Sequence, residues 1–286
     1  MNSLLAAIPP LEKTQSIQKP PPQPQLSEKD IIAGLQKIVS SSRLGTFLQC
    51  RLKFYFRYVA QIRKAKTAAL FLGNAVHETL KAWNKTRWKE NRLLSLKELH
   101  DEFSKAWQEQ SKEEPVEWNG EEEAEKLTGW RLLETYMRQY GLYLAIKPEA
   151  VEVPIEADLV NHGLPKLVGV LDLVQQRRVV DYKTTGTTPN EEKVAHTHEV
   201  QTSTYAVLYR EANGQRELGI ELHSLVKLKN PKLSIIELPP MSDSQQTRLF
   251  HLMEAYVEGL ERKDFVPSPG FGCMSCEFFN ECRLWR

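Results

Sequence analysis

The chain has 286 residues, 41% hydrophobic and 26% charged, with 38 Lys and Arg against 37 Asp and Glu. That length supports one large domain or two modest ones, and the composition excludes collagen-like and wholly disordered classes. A net charge of +1 neither requires nor forbids a nucleic-acid partner, because a basic face can be offset by an acidic one elsewhere.

Residues 1–26 hold six of the sixteen prolines, interleaved with glutamines, and read as a disordered or polyproline-like arm. Order is expected from Ser27, whose side chain can cap a helix, so that 27–286 forms a single domain. A second helix starts at the serines before Arg43 and carries Leu44, Phe47, Leu48, Leu52 and Tyr55 at helical spacing. A third, around 70–90, presents Leu72, Val76, Leu80 and Trp83 on one face. Ser95-x-x-Glu98 is a capping box for a fourth, and 121–144 reads as a fifth. From residue 150 the period shortens: Val151–Val160, Leu167–Val174 and Val179–Tyr182 read as strands. A helix from Glu199 ends at Asn213-Gly214. Strands over 219–228 and 233–238 precede a last long helix from Ser242 to about Lys263. The expected class is α/β or α+β, helices around one small mixed sheet. No apolar run reaches about 18 residues, so no membrane partner is expected. The opening Met1–Ile8 lacks a secretory pattern, which points to the cytoplasm.

Chemistry concentrates in Gly169-Val170-Leu171-Asp172 and Asp181-Tyr182-Lys183. Asp181 and Lys183 are two apart on a strand and share a face. If a symmetric two- or four-residue turn is centred on Gln176-Arg177, Asp172 sits across from Asp181 with Cβ atoms about 5 Å apart, whereas an odd-length turn would put them on opposite faces. Carboxylates that close repel unless a cation lies between them, and a hard divalent ion is the natural occupant. Lys183 would orient water or stabilise charge on a phosphoryl oxygen. Taken alone, D-x-K is also an ordinary surface ion-pair pattern. His77, in Gly73-Asn74-Ala75-Val76-His77, lies beside the apolar stripe of the third helix. Gln201 and Tyr205 fall at i and i+4 on the helix after the strand pair.

Four cysteines complete the pattern: Cys50 alone, then Cys273, Cys276 and Cys282 near the end. Only one C-x-x-C pair is present, which suits a structural zinc poorly, whereas cluster thiolates can come from distant positions. Zinc stays open on spacing alone. Residues 31–77 carry Arg43, Arg51, Lys53, Arg57 and four further cations with no acid, a candidate nucleic-acid surface. Its aromatics Phe54, Tyr55, Phe56 and Tyr58 could stack on bases or pack inside. Residues 113–125 carry seven glutamates, read as a solvated face.

In their order along the chain these motifs resemble the RecB-like branch of the PD-(D/E)xK nuclease superfamily. They resemble in particular its iron–sulfur subgroup, which includes the AddB nuclease domain and RecB-like CRISPR-associated nucleases. Leu171 replaces the proline of the superfamily name, and aspartate serves in the D/E-x-K position. The resemblance implies that His77, Asp172, Asp181 and the Tyr182 carbonyl hold Mg²⁺ or Mn²⁺. The imidazole tilts preference towards Mn²⁺. It further implies that Lys183 positions water, that Gln201 and Tyr205 support the site, and that Cys50, Cys273, Cys276 and Cys282 bind a [4Fe–4S] cluster. The expected activity is metal-dependent hydrolysis of DNA at single strands or ends, in repair, recombination or phage- and CRISPR-type processing. No G-x-x-x-x-G-K-[ST] loop is present, so any helicase or processing motor would be a separate subunit. The competing readings are a catalytically idle DNA-binding or assembly subunit and a zinc-binding interaction protein.

Overall fold

The computed structural model describes residues 26–112, 115–118, 120–141 and 146–286. Most of the expected arm, and the end of the helix expected over 121–144, therefore lie outside the described residues.

Helix starts are set by side-chain caps. α1 (Glu28–Lys37) begins at Ser27, whose hydroxyl accepts from the Asp30 amide. The three-residue strand β1 (Ile38–Ser40) ends on Ser40, which caps α2 (Ser41–Gln49). At Cys50 the backbone becomes extended, so the helix expected to continue breaks there. The short α3 (Arg51–Phe54) and a π-helical turn over Tyr55–Val59 follow. Because of that break Leu48 is exposed, while Leu44, Phe47 and Leu52 are buried as expected. Phe54 and Phe56 are buried too, which removes them from any base-stacking surface.

A two-residue strand β2 (Lys66–Thr67) leads into α4 (Ala68–Glu90), capped by Thr67. The capping box at Ser95 forms and starts α5 (Leu96–Ser111). β3 (Val116–Glu117) pairs with β2, and α6 (Glu122–Gln139) follows. The strands β4 (Ala150–Ala157), β5 (Lys166–Gln175) and β6 (Arg178–Thr185) come next. The short helix α7 (Glu191–Thr197), not foreseen from sequence, precedes α8 (Glu199–Asn213). Gly214 closes α8 in the left-handed conformation that favours glycine. β7 (Gly219–Val226), β8 (Lys232–Leu238) and α9 (Asp243–Glu261) complete the core, and α10 (Phe279–Leu284) lies in the cysteine-bearing tail.

The main sheet runs β1-β5-β6-β7-β8, with β4 on the far edge of β5. β6 and β7 are parallel, and α7 and α8 make the crossover between them. β4–β5, β5–β6 and β7–β8 are antiparallel. One face packs on α1, α2, α8 and α9 through Leu167, Leu171, Val179, Ile220 and Leu222. The other packs on α4, α5 and α6 through Leu173, Val180, Tyr182 and Leu225. No helix of the described residues is long and apolar enough to cross a membrane.

Candidate active site

The candidate centre forms where β5 and β6 separate. Gln176 and Arg177 have φ of 49° and 59°, the two-residue turn whose twist suits a hairpin. It fixes the register Leu173↔Val180, Val174↔Val179 and Gln175↔Arg178, as the symmetric turn requires. The ladder stops one step short of Asp172 and Asp181, where β6 leaves β5 and continues with β7 alone. The alternation of β5 also slips here: Leu171 lies in one core and Leu173, two residues on, lies in the other. Asp172 and Asp181 are therefore neighbours across a fork, not a directly facing pair.

A third acid joins them. The register Val151↔Leu173 and Val153↔Leu171 brings Glu152 of β4 level with Asp172. Glu152 has φ 50°, a left-handed conformation that non-glycine residues seldom adopt outside turns and functional sites. Sequence reading missed it, because its level depends on a β4–β5 register that no local motif announces.

The partners divide into two groups. Asp172 Oδ2 accepts from the Tyr182 amide at 3.0 Å and lies 3.5 Å from His77 Nδ1. His77 Nε2 is 2.7 Å from the Tyr182 carbonyl. Asp181 is 1% exposed, and its Oδ1 accepts from Gln201 at 3.2 Å, Tyr205 at 3.1 Å and Lys183 at 3.1 Å. Its Oδ2 has no hydrogen bond, although the Lys183 ammonium approaches to 2.8 Å outside hydrogen-bonding geometry. Gln201 also donates to the Tyr205 hydroxyl at 2.7 Å, so the i, i+4 pair on α8 acts as one brace on Asp181.

Electrostatics follow from this crowding. Burial pushes the Asp172 carboxyl up to about 6; the His77 ring opposes the shift and the Asp181 charge adds to it. Burial, then the Asp181 and Asp172 charges, hold the Tyr205 hydroxyl well above the usual tyrosine range, which keeps it a donor. Burial likewise raises Glu152, against the pull of Lys81.

The motif glycines have a packing cause. A Cβ on Gly73 would stand 3.0 Å from Thr184 Oγ1, so the glycine lets α4 approach β6 and brings His77, one turn later, onto Tyr182. A Cβ on Gly169 would fall 2.6 Å from Leu208 Cδ1, so this glycine lets α8, with Gln201 and Tyr205, lie close against β5.

The four cysteines meet around one cavity. Cys50, at the break between α2 and α3, lines a cavity of about 50 Å³ together with Cys273, Cys276 and Cys282. Phe56, Phe278, Pro267 and Pro269 complete its wall. Burial and the three neighbouring thiols push the Cys282 thiol up. Arg51 pairs with Asp264, Lys53 and Arg57 with Glu277, and Lys64 with Glu281. Arg43 donates to the Ile38 carbonyl. Four of the eight cations read from sequence as a nucleic-acid surface, Arg51, Lys53, Arg57 and Lys64, are thus engaged with acids near the C-terminus. No local pattern announces these pairs, since the partners lie more than 200 positions away.

Among the described residues, no three His, Cys, Asp or Glu side chains converge closely enough to hold one metal ion. The expected meeting of His77, Asp172 and Asp181 at one point is thus not seen. Asp181 turns instead to Lys183, Gln201 and Tyr205, and Asp172 to His77 and the Tyr182 amide.

A sequence model of the PD-(D/E)XK nuclease superfamily matches residues 38–283. Among solved structures, this chain is similar to a crystal structure from Eubacterium rectale described as "Putative exonuclease". The TM-score is 0.57 at 14% identity, covering 92% of this chain and 94% of that one. No curated protein matches by sequence.

Proposed function

The chain belongs to the PD-(D/E)XK nuclease superfamily, and from that premise we propose that it is a metal-dependent DNA nuclease of the RecB-like, iron–sulfur subgroup. The observation that carries the reading is the fork itself. Asp172, Asp181 and Lys183 stand where two strands diverge, braced by Gln201 and Tyr205 from one side and His77 from the other.

The donor chemistry, carboxylates with one imidazole and a carbonyl, suits a hard divalent cation, although the side chains do not converge on one point among the described residues. Two crowded carboxylates, one with its pKa raised to about 6 and one with a buried oxygen that makes no hydrogen bond among the described residues and meets only the Lys183 ammonium, gain from a further positive charge beside them. Asp172, Asp181, His77 and the Tyr182 carbonyl would hold Mg²⁺ or Mn²⁺. Such an ion supplies polarisation of a phosphoryl oxygen and eases deprotonation of water. The chain's own residues supply the rest. Lys183 brings an ammonium to the scissile phosphate and to the developing charge. Gln201 and Tyr205 fix the Asp181 carboxylate, and Asp172 with Tyr182 fixes the His77 ring. These supports favour an enzyme over an idle binding subunit, which would have no need of an intact Asp172, Asp181 and Lys183.

The cysteines support a structural [4Fe–4S] cluster. Four thiols line one largely apolar cavity, and only one C-x-x-C pair is among them, which suits a cluster better than a structural zinc. The structural match to the Eubacterium rectale protein leads us to propose exonuclease action on single strands or DNA ends. A role in repair, recombination or defence, with any helicase on another chain, belongs to the same proposal. The test is cleavage of end-labelled single- and double-stranded DNA by anaerobically purified protein in Mg²⁺, Mn²⁺ or chelator. Cutting that needs the metal is expected; cutting of neither substrate in either metal overturns the reading.

A further inference from the structure

Tyr182 is held at both ends by one helix. Its carbonyl lies 2.7 Å from His77 Nε2, and its hydroxyl accepts from Asn84 Nδ2 at 2.9 Å. His77 and Asn84 are seven residues apart on α4, about 10 Å along the helix axis, so Tyr182 lies lengthwise against two turns of it. The ladder with β5 ends at Val180, and the Tyr182 amide and carbonyl serve Asp172 and His77 instead of a strand partner. Whatever fixes the phenol therefore bears on where those two main-chain groups stand.

The grip on the phenol is built at a cost. Arg87, about one turn beyond Asn84, is buried, although a guanidinium is seldom buried without an acid beside it. Its partners are neutral: it donates to Asn84 Oδ1 at 2.6 Å and to the Ile146 carbonyl, and it stands 4.5 Å from the centre of the Trp83 ring. Burial pulls its pKa below the usual arginine value, as expected of a cation withdrawn from water. A guanidinium can only donate, so it draws the Asn84 oxygen to itself and turns the amide nitrogen towards Tyr182. Asn84 is fully buried, so neither end of its amide has water as an alternative partner. The phenol oxygen is thereby assigned the acceptor role, and the ring is pinned in one place.

We propose that Asn84 and Arg87 are positioning residues for the metal centre: through the Tyr182 phenol they set the Tyr182 main chain, and with it the places of Asp172 and His77. Partners one layer behind the ligands typically govern about 10- to 100-fold in metal affinity. This rests on the metal-dependent reading above, and the measurements separate the two.

The test is Mn²⁺ binding to the full chain without DNA, read from the electron paramagnetic resonance signal of the free ion. Asp181→Ala marks how much of that binding belongs to the fork. Asn84→Leu and Tyr182→Phe are each expected to weaken Mn²⁺ binding about tenfold or more. The double variant should be no weaker than either single one, because both remove the same hydrogen bond. Asn84→Asp should stay within about twofold of wild type, since its carboxylate accepts from Arg87 and the Tyr182 hydroxyl can turn to donate to it. Thermal melts in chelator run alongside. A leucine variant that melts lower yet binds Mn²⁺ as wild type does has lost only stability, and overturns the proposal. Losses that add in the double variant overturn it too, as does an aspartate variant as weak as leucine. Should Asn84→Leu fail to fold, Tyr182→Phe decides alone: wild-type Mn²⁺ affinity in that variant overturns the proposal. A wild type that binds no Mn²⁺ at the fork overturns the metal reading itself, whereas wild-type binding unchanged in the variants overturns this inference only.

Discussion

Replacing Asp172 by asparagine should stabilise the metal-free protein at alkaline pH while removing its activity. The Asp172 carboxyl is raised from 3.8 to about 6, first by burial, with the Asp181 charge adding and His77 opposing. Because the folded value lies above the unfolded one, the folded state holds this proton more tightly. The associated stability is fully present below pH 3.8 and is lost as pH rises through about 6. A gap of about two pH units corresponds to about 3 kcal/mol at pH 8, an upper bound given the residual solvent contact of this side chain. Asparagine cannot ionise, yet its side-chain oxygen can still accept from the Tyr182 amide. In a chain of this size that predicts a melting temperature higher by up to about 5–10 °C at pH 8 in chelator, with about a third of that difference left at pH 4.5. The assay is a pair of thermal melts at the two pH values. Added Mg²⁺ or Mn²⁺ should raise the wild-type melt at pH 8 and leave the variant unmoved, since a ligand stabilises only the state that binds it. An Asp172→Asn protein no more stable than wild type at pH 8 would refute the claim that a crowded, buried charge sits at this fork.

Two other substitutions test the frame around the site. Gly169→Ala places a methyl group where Leu208 Cδ1 stands 2.6 Å away, so it should cost about 1–3 kcal/mol in a denaturant titration and loosen α8 from β5. Cys276→Ser should release iron and sulfide, measured chemically, and destabilise the chain by up to roughly 5 kcal/mol through loss of the long-range tie. An iron-free variant that melts with the wild type would dissociate the cysteines from any structural role.

Much of the site was legible because it follows from local rules. The turn at Gln176-Arg177 fixes a register that the sequence already implied, and the capping serines announce α1, α5 and α9. Gly73 and Gly169 stood in the motifs for a reason visible only once Thr184 and Leu208 were in place. Four features escaped for physical reasons. Asp172 and Asp181 do not face each other, because β6 exchanges its partner from β5 to β7 at that level, a choice made by the whole sheet. Glu152 joins the row through a strand register and an unusual φ, neither encoded in its neighbours. The basic stretch around Arg51 looked free because Asp264, Glu277 and Glu281 reach it only after the tail folds back onto α3. The break at Cys50 was equally hidden, since Leu44 to Tyr55 keeps helical spacing through it.

The central claim is that the fork between β5 and β6 hydrolyses DNA, and one comparison addresses it most directly. Asp181→Ala and Lys183→Ala are purified anaerobically beside wild type, matched for iron content, and assayed on end-labelled single strands with Mn²⁺. Wild-type protein should degrade the strands, while each variant, with iron retained, leaves them intact. Cleavage persisting in both variants at wild-type rates would place the chemistry somewhere other than this fork.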